Sequence, residues 1–393
     1  MPQPLPAPAL LLAELVALPS VNPMGQAHFD PALHLESRVT DYLEQLLRPL
    51  GVPLTRQPVA PGRDNLVAVY VAPQATRTLL WEVHQDTVPV QGMTVPPFGA
   101  TVSAGRLYGR GACDVKGSMA AMLSAFARLV QERPARSANV VLAFSVDEEH
   151  TFLGVQQLVA EPLPLPAGVP PPQYAVVAEP TLLNIVNAHK GVTRWELSTA
   201  GRSCHSSRPH DGINAIYRMA RLLVATERYA AALAAQPPHP QLGPPTLSVG
   251  RVEGGISVNT VPDACRAEID RRLLPGESAE EAVAHFRNAL AQAEPQTPFT
   301  CSPPWQYCPA LNPTGSEQAC AELGQAIDAV VGQHRVFAVP FGTDASTLAL
   351  AGIPAVVFGP GDIAQAHTRD EWIELAQLDL AAAILYRLAT LAQ

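Results

Sequence analysis

Two histidines and five acidic residues of the sequence are of the types that bind divalent metal ions. They are His84, Asp86, Asp114, Glu148, Glu149, Glu179 and His367. Imidazole nitrogen and carboxylate oxygen together suit Zn²⁺, Co²⁺ or Mn²⁺. A set of this size is enough for two cations, which need one bridging carboxylate when they lie roughly 3.5 to 4 Å apart. The residue types therefore predict a centre with two divalent metal ions, zinc first among them.

Position along the chain suggests how these residues divide between the two ions. Asp114 lies in the stretch GRGACDVKG, at a strand-to-helix turn and between the other candidates in sequence, and is the predicted bridge. We expect His84 and Glu179 to complete one metal site, and Glu149 and His367 to complete the other.

Two further carboxylates have predicted roles beside the ligands. Asp86 is two residues from His84, so on a straight strand its carboxylate faces the same way and can accept the second imidazole N–H. Glu148 precedes the predicted ligand Glu149, and adjacent side chains diverge in direction. We therefore expect Glu148 to face the open position and to take a proton from metal-bound water, as general base and later as general acid.

The elements that must position these residues appear as short apolar, β-branched runs ending in polar or acidic residues. The runs cover 78–83, 140–146, 174–178 and 355–358. Continuous apolar runs of this length are typical of strands buried on both faces. Apolar residues spaced from Met119 to Val130 predict a helix with one apolar stripe. The alternation predicts an α/β sheet covered by helices, with a ligand crevice at the carboxyl ends of its strands.

The middle of the chain has a different order of elements. From about Ala188, strand-like segments at 193–199, 247–252 and 266–273 alternate with helix-like segments at 212–235 and 279–293. This order predicts a smaller α+β domain inserted into the first one. We expect residues 1–187 and 303–393 to form the host domain and residues 188–302 to form the insert.

Composition narrows the class of partner. The 393 residues are 47% hydrophobic and 16% charged, with a net charge of -9, so the chain is folded and lacks the basic clusters that bind nucleic acid. The N-terminal region has no basic segment, and Glu14 interrupts its apolar run, which predicts neither a signal peptide nor a membrane span. We expect a cytoplasmic protein that acts on a small molecule. The six cysteines form no CxxC pair and are typical of buried thiols.

Five segments resemble, in the same order, the acetylornithine deacetylase, succinyl-diaminopimelate desuccinylase and glutamate carboxypeptidase family of dizinc metallopeptidases. They are EVHQDTVP, GRGACDVKGSMA, SVDEEHTFLG, AEPT and QAHTRDEW. The segments GRSCHSSRPHDGINAI, GGISVNTVPDAC and DRRLLPGE are similar to the lid or dimerisation domain of that family. The resemblance runs through almost the whole chain. It implies a zinc-peptidase-like catalytic domain with an inserted lid domain, amide hydrolysis, a homodimer and a place in amino-acid metabolism such as arginine biosynthesis.

The resemblance also implies roles that periodicity does not supply. His205 is similar to a lid histidine that reaches the oxyanion of the reaction, often from the partner subunit. Asn259 and Arg272 match positions that hold substrate, and Gly342 and Thr343 match a turn lining the pocket. Two other interpretations stay open, because His205 and its neighbouring serines can cap a helix and Arg272 can form a surface ion pair.

The predicted reaction is removal of an acyl group from an N-acyl amino acid, closest in pattern to acetylornithine deacetylase. A di- or tripeptidase or a carboxypeptidase with the same metals is one alternative, and a catalytically silent homologue that binds metal or amino acid is another. Val83 and Cys113 depart from the family pattern without removing a ligand. The sequence has no GxSxG elbow, no P-loop and no complete dinucleotide-binding fingerprint.

Overall fold

Helices and strands alternate through most of the computed structural model, which describes residues 5–391. The helices are α1 (Pro8–Val16), α2 (Ser37–Leu47), α3 (Gly117–Glu132), α4 (Leu153–Ala160), α5 (Ala215–Ala234), α6 (Ala279–Ala293), α7 (Glu317–Val331), α8 (Ala345–Leu350) and α9 (Leu375–Ala389). The strands are β1 (Leu54–Ala60), β2 (Arg63–Tyr70), β3 (Thr78–His84), β4 (Thr101–Ser103), β5 (Arg106–Tyr108), β6 (Asn139–Ser145), β7 (Pro172–Val177), β8 (Ile185–His189), β9 (Gly191–Ala200), β10 (Cys204–His205), β11 (Thr246–Gly254), β12 (Thr260–Val261), β13 (Ala264–Leu273), β14 (Thr300–Cys301), β15 (Gln306–Cys308), β16 (Val336–Val339), β17 (Ala355–Val357) and β18 (Trp372–Glu374).

The main sheet has eight strands in the order β1-β2-β6-β3-β7-β17-β8-β16. Its centre is parallel, because β3 runs parallel to β6 and β7, and β17 runs parallel to β7. Strands β1 and β2 add antiparallel pairs on one side. Every residue of β3 and β6 is buried, which explains their continuous apolar sequences. The predicted α/β architecture, a mixed sheet flanked by helices, is confirmed.

Helices α1, α3, α7 and α9 pack against the main sheet, and together they form its hydrophobic core. Trp81 of β3, Phe126 of α3 and Phe144 of β6 are fully buried in this core. His84 pairs in register with Ser145, so the loops that follow β3 and β6 leave the sheet at the same edge. The sheet therefore brings together loops that are far apart in sequence.

The chain divides into two compact units. Unit 1 contains the described residues up to Asn187, Asn312–Phe337 and those from Thr343 onward, and unit 2 contains Ala188–Leu311 with Ala338–Gly342. The predicted insert ended at 302, whereas unit 2 continues to Leu311. The reason is that β15, which lies beyond residue 302, also pairs with β9. The assignment of the two units as catalytic and lid domains stays a prediction.

Unit 2 is a five-stranded antiparallel sheet with two helices. Strands β11, β13, β9 and β14 are neighbours, and β15 also pairs with β9. Burial alternates along β13, so one face of this sheet is covered. Trp195 packs edge-on against Phe286 of α6, with ring centroids 5.2 Å apart. Side chains cap both helices, since Asn214 accepts from the N–H of Tyr217 and Ser278 accepts from that of Glu281.

Among residues 5–391, no helix combines the length and the apolar character needed to cross a bilayer.

Candidate metal centre

Five loops of unit 1 carry the predicted metal ligands. His84 is the last residue of β3, Glu148 and Glu149 follow β6, and Glu179 follows β7. Asp114 lies in the turn 109–116 that leads into α3, here called the Asp114 turn, and its peptide bond to Val115 is cis. His367 lies between β17 and β18. Strands β3, β6 and β7 are adjacent and parallel, so their carboxyl ends deliver three of these loops to one edge of the sheet.

Asp114 lies between the two histidines. Its Oδ1 is 3.3 Å from Nε2 of His84, and its Oδ2 is 3.2 Å from Nε2 of His367. The same His367 nitrogen is 3.2 Å from Oε2 of Glu149, and Oε1 of Glu179 is 3.8 Å from Nε2 of His84. Each oxygen of one carboxylate thus faces a different histidine, which is the arrangement that a bridging ligand requires.

The ligand atoms form two groups that could each hold a cation. In one group, His84, Glu148 and Glu179 present atoms within 4.8 Å of one another, and in the other Asp114, Glu149 and His367 do so. The predicted partition placed His84 with Glu179 and Glu149 with His367, and the structure brings both pairs together. It also places Glu148, the predicted general base, in the same group as His84 and Glu179.

Several acidic side chains of the centre are buried close together, and this shifts their pKa values. Burial raises the pKa of Glu149 to about 7, and burial with neighbouring carboxylates raises the pKa values of Glu148 and Glu179 well above the ordinary range. Burial opposes ionisation of Asp114 as well, but His367 and His84 hold the pKa of Asp114 below its usual range. Against the effect of burial, Asp114 and Asp86 raise the pKa of His84. Without added positive charge, this environment therefore favours the protonated form of the three glutamates.

The donor set fits divalent cations. Within residues 5–391, no Lys or Arg forms an ion pair with any of the three ligand carboxylates or with Glu148. The buried atoms Nε2 of His84 and Oε1 of Glu149 have no hydrogen bond. Buried charges without partners are strongly unfavourable, and two cations would supply the missing positive charge. Two imidazoles with several carboxylates match the preference of zinc, cobalt or manganese.

Asp86 makes different hydrogen bonds from the one predicted. Nδ1 of His84 is 3.0 Å from the backbone carbonyl oxygen of Asp86, whereas the Asp86 carboxylate is 3.6 Å away. The carboxylate instead accepts the backbone N–H groups of Glu148 and Glu149, each at 3.1 Å. The chain leaves β3 at His84, so the alternation assumed for a straight strand does not continue to Asp86. Asp86 thus orients the loop carrying both glutamates, and both its carbonyl oxygen and its carboxylate lie near Nδ1 of His84.

A buried polar network behind Asp86 was missed in the sequence. Asn22 donates to Asp86 at 2.8 Å and to Asp147 at 2.9 Å. Arg63 forms ion pairs with Asp147 and Glu36. Against the effect of burial, His84, Arg63 and Asn22 lower the pKa of Asp86 to about 2, so its carboxylate is charged. These partners lie far apart in sequence, and no local pattern connects them.

Two further buried acids, Glu82 and Asp344, both contact Ser145 at the end of β6. The Ser145 hydroxyl is 2.6 Å from Oε1 of Glu82 and 3.0 Å from Oδ2 of Asp344. Both carboxyl groups are buried, and burial raises both pKa values. One hydroxyl proton cannot satisfy two carboxylates, so one member of this pair is expected to be protonated.

The predicted residues of unit 2 lie in two places. His205 and Asn259 are close together, because β10 pairs with β12 and the N–H of Ser206 donates to the Asn259 carbonyl at 3.0 Å. His205 is exposed, with Nδ1 2.8 Å from the Ser207 hydroxyl, and it caps no long helix, since Asn214 caps α5. The helix-cap interpretation is therefore wrong.

Arg272 is on β13, and its Nε donates to Asp270 at 2.8 Å. The ion pair that the sequence left open is therefore present, and a role in substrate binding stays a prediction. Gly342 belongs to unit 2, and Thr343 belongs to unit 1, where it is buried and its hydroxyl accepts the N–H of Ala345. Their role in the pocket also stays a prediction.

Several known proteins resemble this chain in sequence or in fold. An acetylornithine deacetylase from Myxococcus xanthus is 32% identical over 98% of this chain and 97% of its own length. An N-acetyl-L-citrulline deacetylase from Xanthomonas campestris pv. campestris is 31% identical over 88% of this chain and 89% of its own. A solved M20 family metallo-carboxypeptidase from Sulfolobus solfataricus, at 19% identity, shares the fold with a TM-score of 0.77, covering 98% of this chain and 99% of that one.

The family itself is assigned by a match over most of the chain. The family model of peptidase family M20/M25/M40 matches residues 80–391, which include every predicted metal ligand. The chain therefore belongs to peptidase family M20/M25/M40, and its predicted class, a metal-dependent hydrolase of amide or peptide bonds, is confirmed.

Proposed function

We propose that this protein removes the acyl group from an N-acyl amino acid, in the manner of an acetylornithine deacetylase, at a centre of two divalent cations. The observation that carries the proposal is the position of Asp114, whose two carboxylate oxygens lie 3.3 and 3.2 Å from the Nε2 atoms of His84 and His367. Asp114 would bind both cations, with His84 and Glu179 as further ligands of one and Glu149 and His367 as further ligands of the other. Zinc is the metal proposed first, with cobalt or manganese as substitutes.

Divalent cations, when bound, supply Lewis acidity toward the scissile carbonyl and toward water. Glu148 supplies the proton transfers. Its carboxyl group is buried beside His84 and Glu179, and this burial raises the pKa of Glu148, which makes its carboxylate a stronger base. It accepts a proton from the attacking water as the new C–O bond forms. It then gives that proton to the leaving nitrogen as the C–N bond breaks, so the products are a carboxylate and a free amino acid.

The substrate class rests on two relatives that cover most of the chain. One is named a deacetylase of acetylornithine and the other a deacetylase of N-acetyl-L-citrulline, so the names share the N-acetyl group and an α-amino acid. For this chain we infer the same class of substrate. His205 is proposed to stabilise the oxyanion, from the partner copy of a homodimer, and Asn259, Arg272, Gly342 and Thr343 are proposed to hold the amino-acid part.

The test is release of free amine by protein reconstituted with zinc, cobalt or manganese. The panel comprises N-acetyl-L-ornithine, N-acetyl-L-citrulline, other N-acetyl amino acids, N-succinyl-diaminopimelate and dipeptides. Chelated parent protein and Glu148→Gln are the controls. Chelator-sensitive, Glu148-dependent turnover of the N-acetyl amino acids is expected. Turnover confined to dipeptides would replace the proposal by a peptidase, and no turnover despite bound metal would reject the deacylase.

A further inference from the structure

Glu371 is a buried carboxylate to which the proposed reaction gives no role. It lies four residues after His367, within the stretch QAHTRDEW, and is fully buried. Its Oε1 accepts the backbone N–H groups of Cys113 at 2.9 Å and Asp114 at 3.0 Å. Its Oε2 accepts the N–H of Gly111 at 3.0 Å. One side chain from the His367 segment thus holds three N–H donors of the Asp114 turn.

Arg110 extends this contact to a third loop. Its Nη1 donates to Oε2 of Glu371 at 2.7 Å. Its Nη2 donates to the carbonyl oxygen of Pro89 at 3.0 Å, in the loop after β3, and to that of Thr368 at 3.3 Å, next to His367. The Arg110–Glu371 pair therefore links the loop that follows His84, the Asp114 turn and the His367 segment.

The hydrogen bonds to Glu371 fix the orientation of Asp114, the proposed bridging ligand. The backbone N–H of Asp114 is fixed by Glu371, and the side chain that leaves the same residue faces both His84 and His367. A carboxylate with all its acceptor positions filled by N–H donors holds those donors in one arrangement. Partners behind the metal ligands that fix ligand direction influence metal affinity strongly.

A nearby pair with the same residue types lacks these contacts. Arg106 and Glu374 are joined at 2.7 Å across β5 and β18, but their side chains are 39% and 37% exposed. No backbone N–H of the Asp114 turn, as described, donates to Glu374. The Arg106–Glu374 pair therefore offers a matched control for removing an Arg–Glu contact between the same two parts of the chain.

The geometry points to Glu371 as a positioning residue that, with Arg110, sets the Asp114 turn and the His367 segment in the arrangement that two cations need before they bind. The inference rests on the metal centre proposed above. It assigns Glu371 no contact with substrate or with the reacting atoms.

The first test compares metal affinity in the parent, Glu371→Gln and Glu374→Gln, measured by competition with a chromogenic chelator. Glutamine keeps the shape of the side chain but turns an NH₂ group toward N–H donors, so two of the four contacts are lost whichever way the amide points. Affinity for Zn²⁺ is expected to fall about 10- to 100-fold in Glu371→Gln. Glu374→Gln should bind as the parent does. The visible spectrum of the Co²⁺-loaded proteins should change only in Glu371→Gln.

The second test does not depend on the folding of Glu371→Gln. Hydrogen exchange of peptides covering 109–116 is followed in the chelated parent, in which the three amides bonded to Glu371 should already be protected. Arg110→Lys keeps a positive charge beside Glu371 but cannot reach all three acceptors. It is expected to weaken Zn²⁺ binding by less than Glu371→Gln does.

The outcomes separate this inference from the proposed function. If the parent itself binds no metal, the proposed centre is wrong and the inference falls with it. If the parent binds metal and both Glu371→Gln and Arg110→Lys bind it equally tightly, only the inference is rejected. Amides at 109–116 that exchange freely in the chelated parent and become protected only with metal would also reject it.

Discussion

Replacing His189 by glutamine should change how unit 2 responds to acid. His189 ends β8 and is completely buried, with Nδ1 3.0 Å from the carbonyl oxygen of Lys190. Burial lowers the pKa of His189 from 6.5 to about 4. Between these values the unfolded chain binds a proton that the folded protein does not, so the stability of the parent falls as the pH drops from about 6.5 to about 4. This difference in pKa corresponds to about 3 kcal/mol of unfolding free energy, because each pKa unit is worth about 1.4 kcal/mol.

The assay is urea unfolding of chelated parent and His189→Gln at several pH values between 7.5 and 4. Glutamine retains a donor for the Lys190 carbonyl but does not titrate, so the free-energy difference between the proteins should move by about 3 kcal/mol in favour of the variant at acid pH. All other titrating groups cancel in this difference. His285→Gln, which replaces an exposed histidine of α6 in the same unit, is the control and should follow the parent. Parallel curves for the parent and His189→Gln would refute the reasoning.

Other changes have equally definite expected outcomes. Glu148→Gln should lower kcat by about 10² to 10⁴ while atomic absorption shows unchanged metal content, since only proton transfer is removed; equal kcat would contradict the assigned base. The raised pKa of Glu82 makes the metal-free protein less stable as the pH rises above 4.5, so Glu82→Gln should reduce this loss of stability. The melting temperatures of both proteins at pH 5 and pH 8 test this. An equal difference between the two pH values in parent and variant counts against it. Arg63→Met should lower the free energy of unfolding in urea by about 3 to 5 kcal/mol, because it leaves Glu36 and Asp147 buried without a cation. Arg48→Met, which removes an exposed ion pair, should lower it by under about 1 kcal/mol. Removing metal should lower the melting temperature, by the equivalent of about 2.7 kcal/mol at free metal one hundred times Kd, and a melting temperature indifferent to chelator would argue against a metal centre.

The elements that carry the centre were predictable because their sequences reflect burial on both faces. The apolar run 140–146 became β6, Asn139–Ser145, and the run 78–83 became β3, Thr78–His84. Polar residues directly after such runs must lie at one sheet edge when the strands are parallel neighbours, which is why His84 and Glu149 were found from sequence. Helix α6, with Ser278 as its cap and two glutamates in its first turn, has the predicted bounds Ala279–Ala293.

The contacts that orient the ligands were not predictable in the same way. The Asp86 carboxylate bonds to backbone N–H groups more than 60 residues away, and the direction of its side chain depends on where β3 ends. Glu371 lies in a segment with an evident motif, yet its partners are backbone groups, and backbone groups carry no sequence signal. Unit 2 extends beyond the predicted residue 302 because β15 belongs to its sheet, and β15 has three residues, too few to show a period in the sequence.

The insertion of unit 2 into unit 1 also sets the order in which the protein can be completed during synthesis. Glu179 and His367 are separated by all of unit 2, and ribosomes add roughly 5 to 20 residues per second, so the second histidine follows Glu179 by roughly 10 to 40 s. During that interval β7 has β3 on one side but lacks β17 on the other, and it presents an unpaired apolar edge. Unit 2, which is almost continuous in sequence, can fold meanwhile. The nascent protein can therefore pass through a state in which the insert is folded while the host still lacks β17 and the ligand His367.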